Sequence, residues 1–181
     1  MASEIKDPET RGHDETTLES GKGVLERELD ELYESTDPDK PQLFHMKARL
    51  PKKGRGATLL AATERMWVNL KTYAEGGENV LHAHTNEDHV FIVLHGEATF
   101  YGADGEVATL GKNQGILLPQ GVAYYFHAVE GEPLVILRMG TAIDPARPKF
   151  ERRGLGGEDV PASSKANKSE PTVFYTDRVF E

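Results

Sequence analysis

Between residues 57 and 139 the chain is a succession of short apolar or alternating runs, at 57–62, 65–73, 80–84, 89–95, 98–101, 106–110, 116–118, 123–129 and 134–139. Turn-forming residues separate them: Gly76-Gly77, Thr85-Asn86, residues 102–105, residues 111–115 and Gly131-Glu132-Pro133. Each cluster supplies residues that tolerate positive φ or fix a bend. Short strands at such regular spacing fold as a sandwich or a closed barrel. No long helical pattern interrupts them, which excludes a parallel βαβ sheet. The fold class read from the sequence is therefore all-β.

At 181 residues the chain has the length of one ordinary domain with tails. Its formal charge of -9 belongs almost wholly to one end, because residues 1–40 carry a balance of -8 and the remainder only -1. A nearly neutral body without a basic stripe excludes nucleic acid as the expected partner. No apolar run approaches the roughly 18–20 residues of a membrane span, and the first residues lack the basic and apolar regions of a secretory signal, so a cytoplasmic protein with no membrane partner is expected. Cysteine is absent, which removes disulfides, thiolate metal sites and cysteine nucleophiles.

Three regions follow. Residues 1–40 make an acidic arm, polar and expected to be mobile up to about residue 22, with a short amphipathic helix expected over 24–34 from the spacing of Leu25, Leu29, Leu32 and Tyr33. Residues 41–141 are the expected barrel. Residues 142–181 are a polar tail that ends in an aromatic segment, with Phe174, Tyr175 and Phe180, expected to pack on the barrel or on a partner subunit, or to cover the barrel mouth.

The chemistry concentrates in one stretch. Five of the seven histidines lie between residues 82 and 127. His82 and His84 are two apart on an extended segment, so they share a face and can chelate one metal ion. With no cysteine in the chain, a transition metal here must take nitrogen and oxygen ligands.

Gly76, five residues to His82, one to His84, four to His89 and six to Gly96 resembles the first motif of the cupins. Histidine stands at position 89 where that family usually has glutamate. The family's spacing also admits three residues, which would make Asp88 the ligand, and Glu87 reads as a solvated turn residue. Pro119-Gln120-Gly121 resembles the core of the second motif, with Tyr124 at its histidine position and Ala128 at its asparagine. The resemblance spans about residues 57–140. It implies a double-stranded β-helix, the jelly-roll barrel, with His82, His84 and His89 around one divalent transition metal, iron(II) first, with zinc, nickel or manganese as alternatives. Interior candidates are Trp67 or its strand neighbours, Phe91, Val93, Leu118 and Phe126. Tyr124 should face the metal, as ligand, hydrogen-bond partner or acid–base, or else as a buried aromatic with its hydroxyl satisfied. His127 is at odd parity from Tyr124 and would need a bulge to turn inward. His95, at the strand end, reads as peripheral.

The implied function is a metal-dependent enzyme acting on a small organic molecule, first a non-haem iron dioxygenase with Tyr124 positioning or protonating an intermediate. The alternatives are a redox-neutral isomerase, decarboxylase or lyase, and a non-catalytic binding or sensing protein. A homodimer is the expected assembly.

Overall fold

The structure is a computed structural model that describes residue 37 and residues 39–74, 80–160 and 172–181. The expected helix at 24–34, most of the acidic arm and Gly76 lie outside the described residues.

The described residues form twelve strands and no helix: β1 (Ala48–Lys53), β2 (Arg55–Ala62), β3 (Met66–Tyr73), β4 (Ala83–His84), β5 (Glu87–His95), β6 (Ala98–Gly102), β7 (Gly105–Leu110), β8 (Gly115–Leu118), β9 (Tyr125–Ala128), β10 (Leu134–Ala142), β11 (Arg152–Arg153) and β12 (Val173–Phe180). All the ladders are antiparallel. One sheet runs β2-β3-β10-β5-β8, a second β7-β6-β9, with two-stranded pairings β11-β4 and β1-β12 beside them. The described residues are all-β, a jelly roll.

The alternation of side chains decides what each sheet buries. Along β5 the residues Glu87, His89, Phe91 and Val93 are buried and share one face. Phe100 of β6 and Phe126 of β9 come from the opposing sheet. Their rings stack 5.0 Å apart and meet Phe91 edge-on at 5.6 and 5.7 Å, in the aromatic geometry that stabilises beyond simple burial. Tyr73, Leu118, Leu134 and Ile136 complete this core between the sheets. The interior candidates read from the sequence, Trp67, Phe91, Val93, Leu118 and Phe126, are all buried. Gly96 turns the chain between β5 and β6 with φ 71°, and a Cβ there would lie 2.9 Å from the Pro133 carbonyl oxygen, so glycine is required on both counts.

The outer face of the large sheet is covered as well. Leu60, Leu70 and Val135 pack against Ala48 and Leu50 of β1, with Tyr175 and Phe180 of β12 half-buried over them. The aromatic end of the chain thus folds back on its own barrel by pairing with β1, and Thr172 Oγ1 donates to the Arg55 carbonyl at 2.6 Å. Removing residues 172–181 should cost about 2–4 kcal/mol, since two half-covered aromatics are lost from an apolar face. A thermal melt followed by circular dichroism is expected to fall by roughly 5–15 °C; an unchanged melting temperature would show that β12 contributes no burial.

Candidate metal centre

Four histidine and carboxylate side chains meet at one end of the barrel interior, and the strands bring them there in different ways. His82 precedes β4 and pairs with Tyr124: its N–H donates to the Tyr124 carbonyl at 3.2 Å and the Tyr124 N–H to its own carbonyl at 2.9 Å. Their rings are consequently 4.9 Å apart. His84 lies in β4 opposite Arg152 of β11, and its carbonyl accepts from Gly121 N, which ties the Pro119-Gln120-Gly121 turn to the site. Glu87 and His89 enter from β5, two residues apart on its inner face.

Glu87 corrects the sequence reading. It is no solvated turn residue, being 1% exposed at the first position of β5. The strand begins two residues earlier than its apolar run, because the buried neighbours that favour an extended chain here are polar. Trp67 Nε1 donates to Glu87 Oε1 at 2.7 Å and Phe150 N to Oε2 at 3.0 Å. The same Oε2 is 3.3 Å from His89 Nε2, and 3.4 Å from His84 Nδ1 in a contact too poorly aligned for a hydrogen bond.

Arg138, from the middle of β10, fixes the other nitrogens. Its Nη2 lies 3.1 Å from both His84 Nε2 and His89 Nδ1. A guanidinium has no acceptor, so each of these nitrogens must present a lone pair and the proton of each ring sits on the side of Glu87. His82 Nδ1 faces the Val80 carbonyl at 2.7 Å and donates to it, which leaves His82 Nε2 buried with its lone pair and no hydrogen-bond partner.

The electrostatics agree with that assignment. Burial first, then Arg152, pushes His82 down to about 3. Burial first, then Arg138, pushes His89 down to about 4, and burial first, then His89, holds His84 well below the ordinary range. Burial alone would push Glu87 up, but the contacts from His84 and His89 outweigh it and hold its carboxyl below the usual range. The centre is therefore three neutral imidazoles around one ionised carboxylate, the protonation state in which histidine and glutamate bind metals.

These residues fit a metal ion. His84, Glu87 and His89 each offer a ligand atom within 4.8 Å of one another, and all three are buried. His82 adjoins them, its ring 5.2 Å from that of His84, and its orphaned Nε2 is the kind of buried acceptor that requires a partner. Of the residues singled out in the sequence, the structure brings His84 and His89 closest, with ring centroids 3.9 Å apart, and sets His82 and Tyr124 at their side. The Tyr124 hydroxyl is buried, 3.5 Å from His89 Nδ1.

The others stay outside. Asp88 points to the opposite face of β5, where its Oδ1 accepts from Gln120 N at 2.7 Å. His127 is exposed on the outer face of β9 against the rings of Tyr101 and Tyr125. His95 Nδ1 donates to the Pro133 carbonyl at the far end of β5. Sequence reasoning missed two residues. Glu87 was findable from its parity with His89; Arg138 was findable as the one charge in the 134–139 run.

Residues 69–140 match the family described as the Cupin domain. Solved structures with a similar course of chain include KdgF from Halomonas sp., at 15% identity and a TM-score of 0.46 over 49% of this chain and 81% of that one. A cupin superfamily protein from Desulfitobacterium hafniense is 20% identical, with a TM-score of 0.43 over 50% of this chain and 78% of the other. A cupin-like protein from Thermotoga maritima is 18% identical, with a TM-score of 0.47 over 57% and 77%. No curated protein matches the sequence. Among the described residues, no helix is long and apolar enough to cross a membrane.

Proposed function

Residues 69–140 form a cupin domain, and we propose that the protein is a metal-dependent enzyme acting on a small organic molecule, as a non-haem iron(II) dioxygenase. The observation that carries this reading is the buried convergence of His84, Glu87 and His89 within 4.8 Å. The imidazoles of His84 and His89, with Glu87 behind them and coordination positions left free, make a nitrogen donor set that suits such an ion. Bound by these residues, and by His82 Nε2 beside them, a divalent metal would supply Lewis acidity and, if iron, a redox partner for dioxygen.

The chain's own groups have separate tasks. Glu87 orients the imidazoles of His84 and His89 through their second nitrogens, the arrangement by which a carboxylate fixes the tautomer and raises the basicity of a histidine ligand. Trp67 and Phe91 wall the site, with Trp67 edge-on to His89 at 5.4 Å, and keep water from the reacting atoms. The Tyr124 hydroxyl lies beside the His89 lone pair and is placed to give or take a proton at a molecule held there.

A redox-neutral reading, isomerisation, decarboxylation or lyase chemistry at zinc, nickel or manganese, is favoured by one observation. Tyr124 and Arg138 both reach His89 Nδ1, and a phenol beside a guanidinium can transfer a proton and stabilise the resulting anion with no change of oxidation state.

Elemental analysis of protein purified without added metal, together with oxygen uptake, separates these. About one equivalent of iron per chain is expected, falling at least tenfold in His89→Ala and His82→Ala, as a lost ligand requires. Asp88→Asn should keep its metal, because that side chain serves Gln120. Zinc, nickel or manganese at full occupancy without oxygen uptake would replace the dioxygenase by the redox-neutral enzyme. Metal-free protein that still binds an organic ligand would sink both and leave a binding or sensing protein.

A further inference from the structure

Arg138 carries a charge that the metal donors do not answer. Its side chain enters the interior from the centre of β10 and is 3% exposed. Nη2 donates to two neutral imidazoles, and the guanidinium lies over the rings of Trp67 and Phe91 at 5.0 and 5.2 Å. Nε has no hydrogen-bond partner. Among the described residues no carboxylate pairs with Arg138, since the oxygens of Glu87 are taken by Trp67, Phe150 and the imidazoles. Buried charges are ordinarily paired, and contact with aromatic faces compensates one only in part.

A second orphan lies beside it. Asn69 of β3 is directly opposite Arg138 in the β3–β10 ladder, on the same inner face, and its Oδ1 is buried without a partner. A free acceptor next to a free, positively charged donor matches a ligand with a hydroxyl hydrogen adjoining an anionic oxygen pair. With Nη2 committed to the two imidazoles, Nε stays free, and a carboxylate can accept from it in a charge-assisted hydrogen bond. His84 Nε2 and His89 Nδ1 can hold a cation only when Nη2 leaves them, and a carboxylate partner would draw the guanidinium aside.

We infer that Arg138 anchors the carboxylate of a small organic acid, with Asn69 accepting from a neighbouring hydroxyl, so that the substrate is an anion seated beside the metal ligands. This rests on the enzyme reading above and names its substrate class.

The test uses the full chain stripped of metal by chelation, titrated calorimetrically with acetate, glycolate and benzoate and with their neutral counterparts acetamide, glycolamide and benzamide. At least one carboxylate should bind at least tenfold more tightly than its amide, glycolate gaining most from Asn69. Arg138→Met should abolish that preference and Arg138→Lys should weaken binding at least tenfold, each variant being checked by its unfolding temperature. Should both variants fail to fold, the comparison of acid with amide on the unaltered protein decides alone. Amides that bind as tightly as the acids, or no binding of any of the three carboxylates, would overturn the assignment. Metal content measured in parallel keeps the two readings apart: carboxylate selectivity in a protein that takes up no metal removes the metal enzyme and leaves the anion site, whereas full metal occupancy without selectivity does the reverse.

Discussion

Glu87→Gln is expected to lower metal affinity about 10–100-fold, the usual penalty for removing a carboxylate that orients metal-binding histidines. The substitution keeps the volume and removes the charge. Three donors bond the native carboxylate, Trp67 Nε1, Phe150 N and His89 Nε2, and the protonated side of His84 lies 3.4 Å from it. A glutamine offers one carbonyl oxygen and one NH2 group to the same four groups. Whichever way the amide turns, its NH2 faces at least one N–H and one acceptor is lost. Leaving a buried donor unmet costs about 1–3 kcal/mol, so the metal-free variant should also melt lower than the unaltered protein. If Glu87 acts through the imidazoles alone, Glu87→Asp should lose as much affinity as Glu87→Gln, because the shorter carboxylate cannot reach both rings from β5. A metal titration giving an unchanged dissociation constant for Glu87→Gln would show that the carboxylate serves only the packing of Trp67 and Phe150.

The strand pattern was legible because period-two burial writes itself into the sequence wherever the inner face is apolar. That holds for Phe91 and Val93, Phe100, Phe126 and Ile136, and the runs containing them overlap the observed strands β5, β6, β9 and β10. It fails where the inner face is polar. Glu87 was set apart from β5 because its own chemistry is that of a surface residue, and only the donors of Trp67 and Phe150, 20 and 63 positions away, make its burial tolerable. The first strand, β1, is not among the apolar runs: Pro51, Lys52 and Lys53 interrupt any such pattern, yet a proline is compatible with an edge strand whose register shifts on either side of it. The histidines were legible as a group since local spacing alone places His82 beside His84. Their approach to Arg138 depends on the β10–β5 register, which pairs Arg138 with Phe91 and Gly140 with His89 and which no local pattern announces.

That register carries the second large effect, expected for Gly140→Ala. In the layer of the barrel nearest the metal centre, the ladder aligns Trp67, Gly140, His89 and Leu118 on four adjacent strands. The indole of Trp67 lies flat across the space that a side chain at 140 would fill, so a Cβ would fall onto its ring atoms, with Nε1 only 2.7 Å away. Glycine is required here by the close approach and not by its backbone angles. The indole cannot withdraw freely, since it is held by its bond to Glu87 and packs at 5.2 Å against Phe150. Overpacking of this kind costs about 1–3 kcal/mol. Loss of the Trp67–Glu87 hydrogen bond, whose acceptor is charged, adds roughly 1.5–3 kcal/mol. Together these should lower the melting temperature by about 8–20 °C. Trp67 is the only tryptophan in the chain, so its emission reports the displacement directly and should shift to the red. Combining Gly140→Ala with Trp67→Phe separates the two terms, because a phenyl ring leaves room for the new methyl but restores no donor. The double variant should be more stable than the two single costs added together, by about 1 kcal/mol or more, while its metal affinity stays low for want of the bond that holds Glu87 against the histidines. Strict additivity with unshifted emission would mean that the sheet yields at β10 and that the indole is not what fixes the carboxylate.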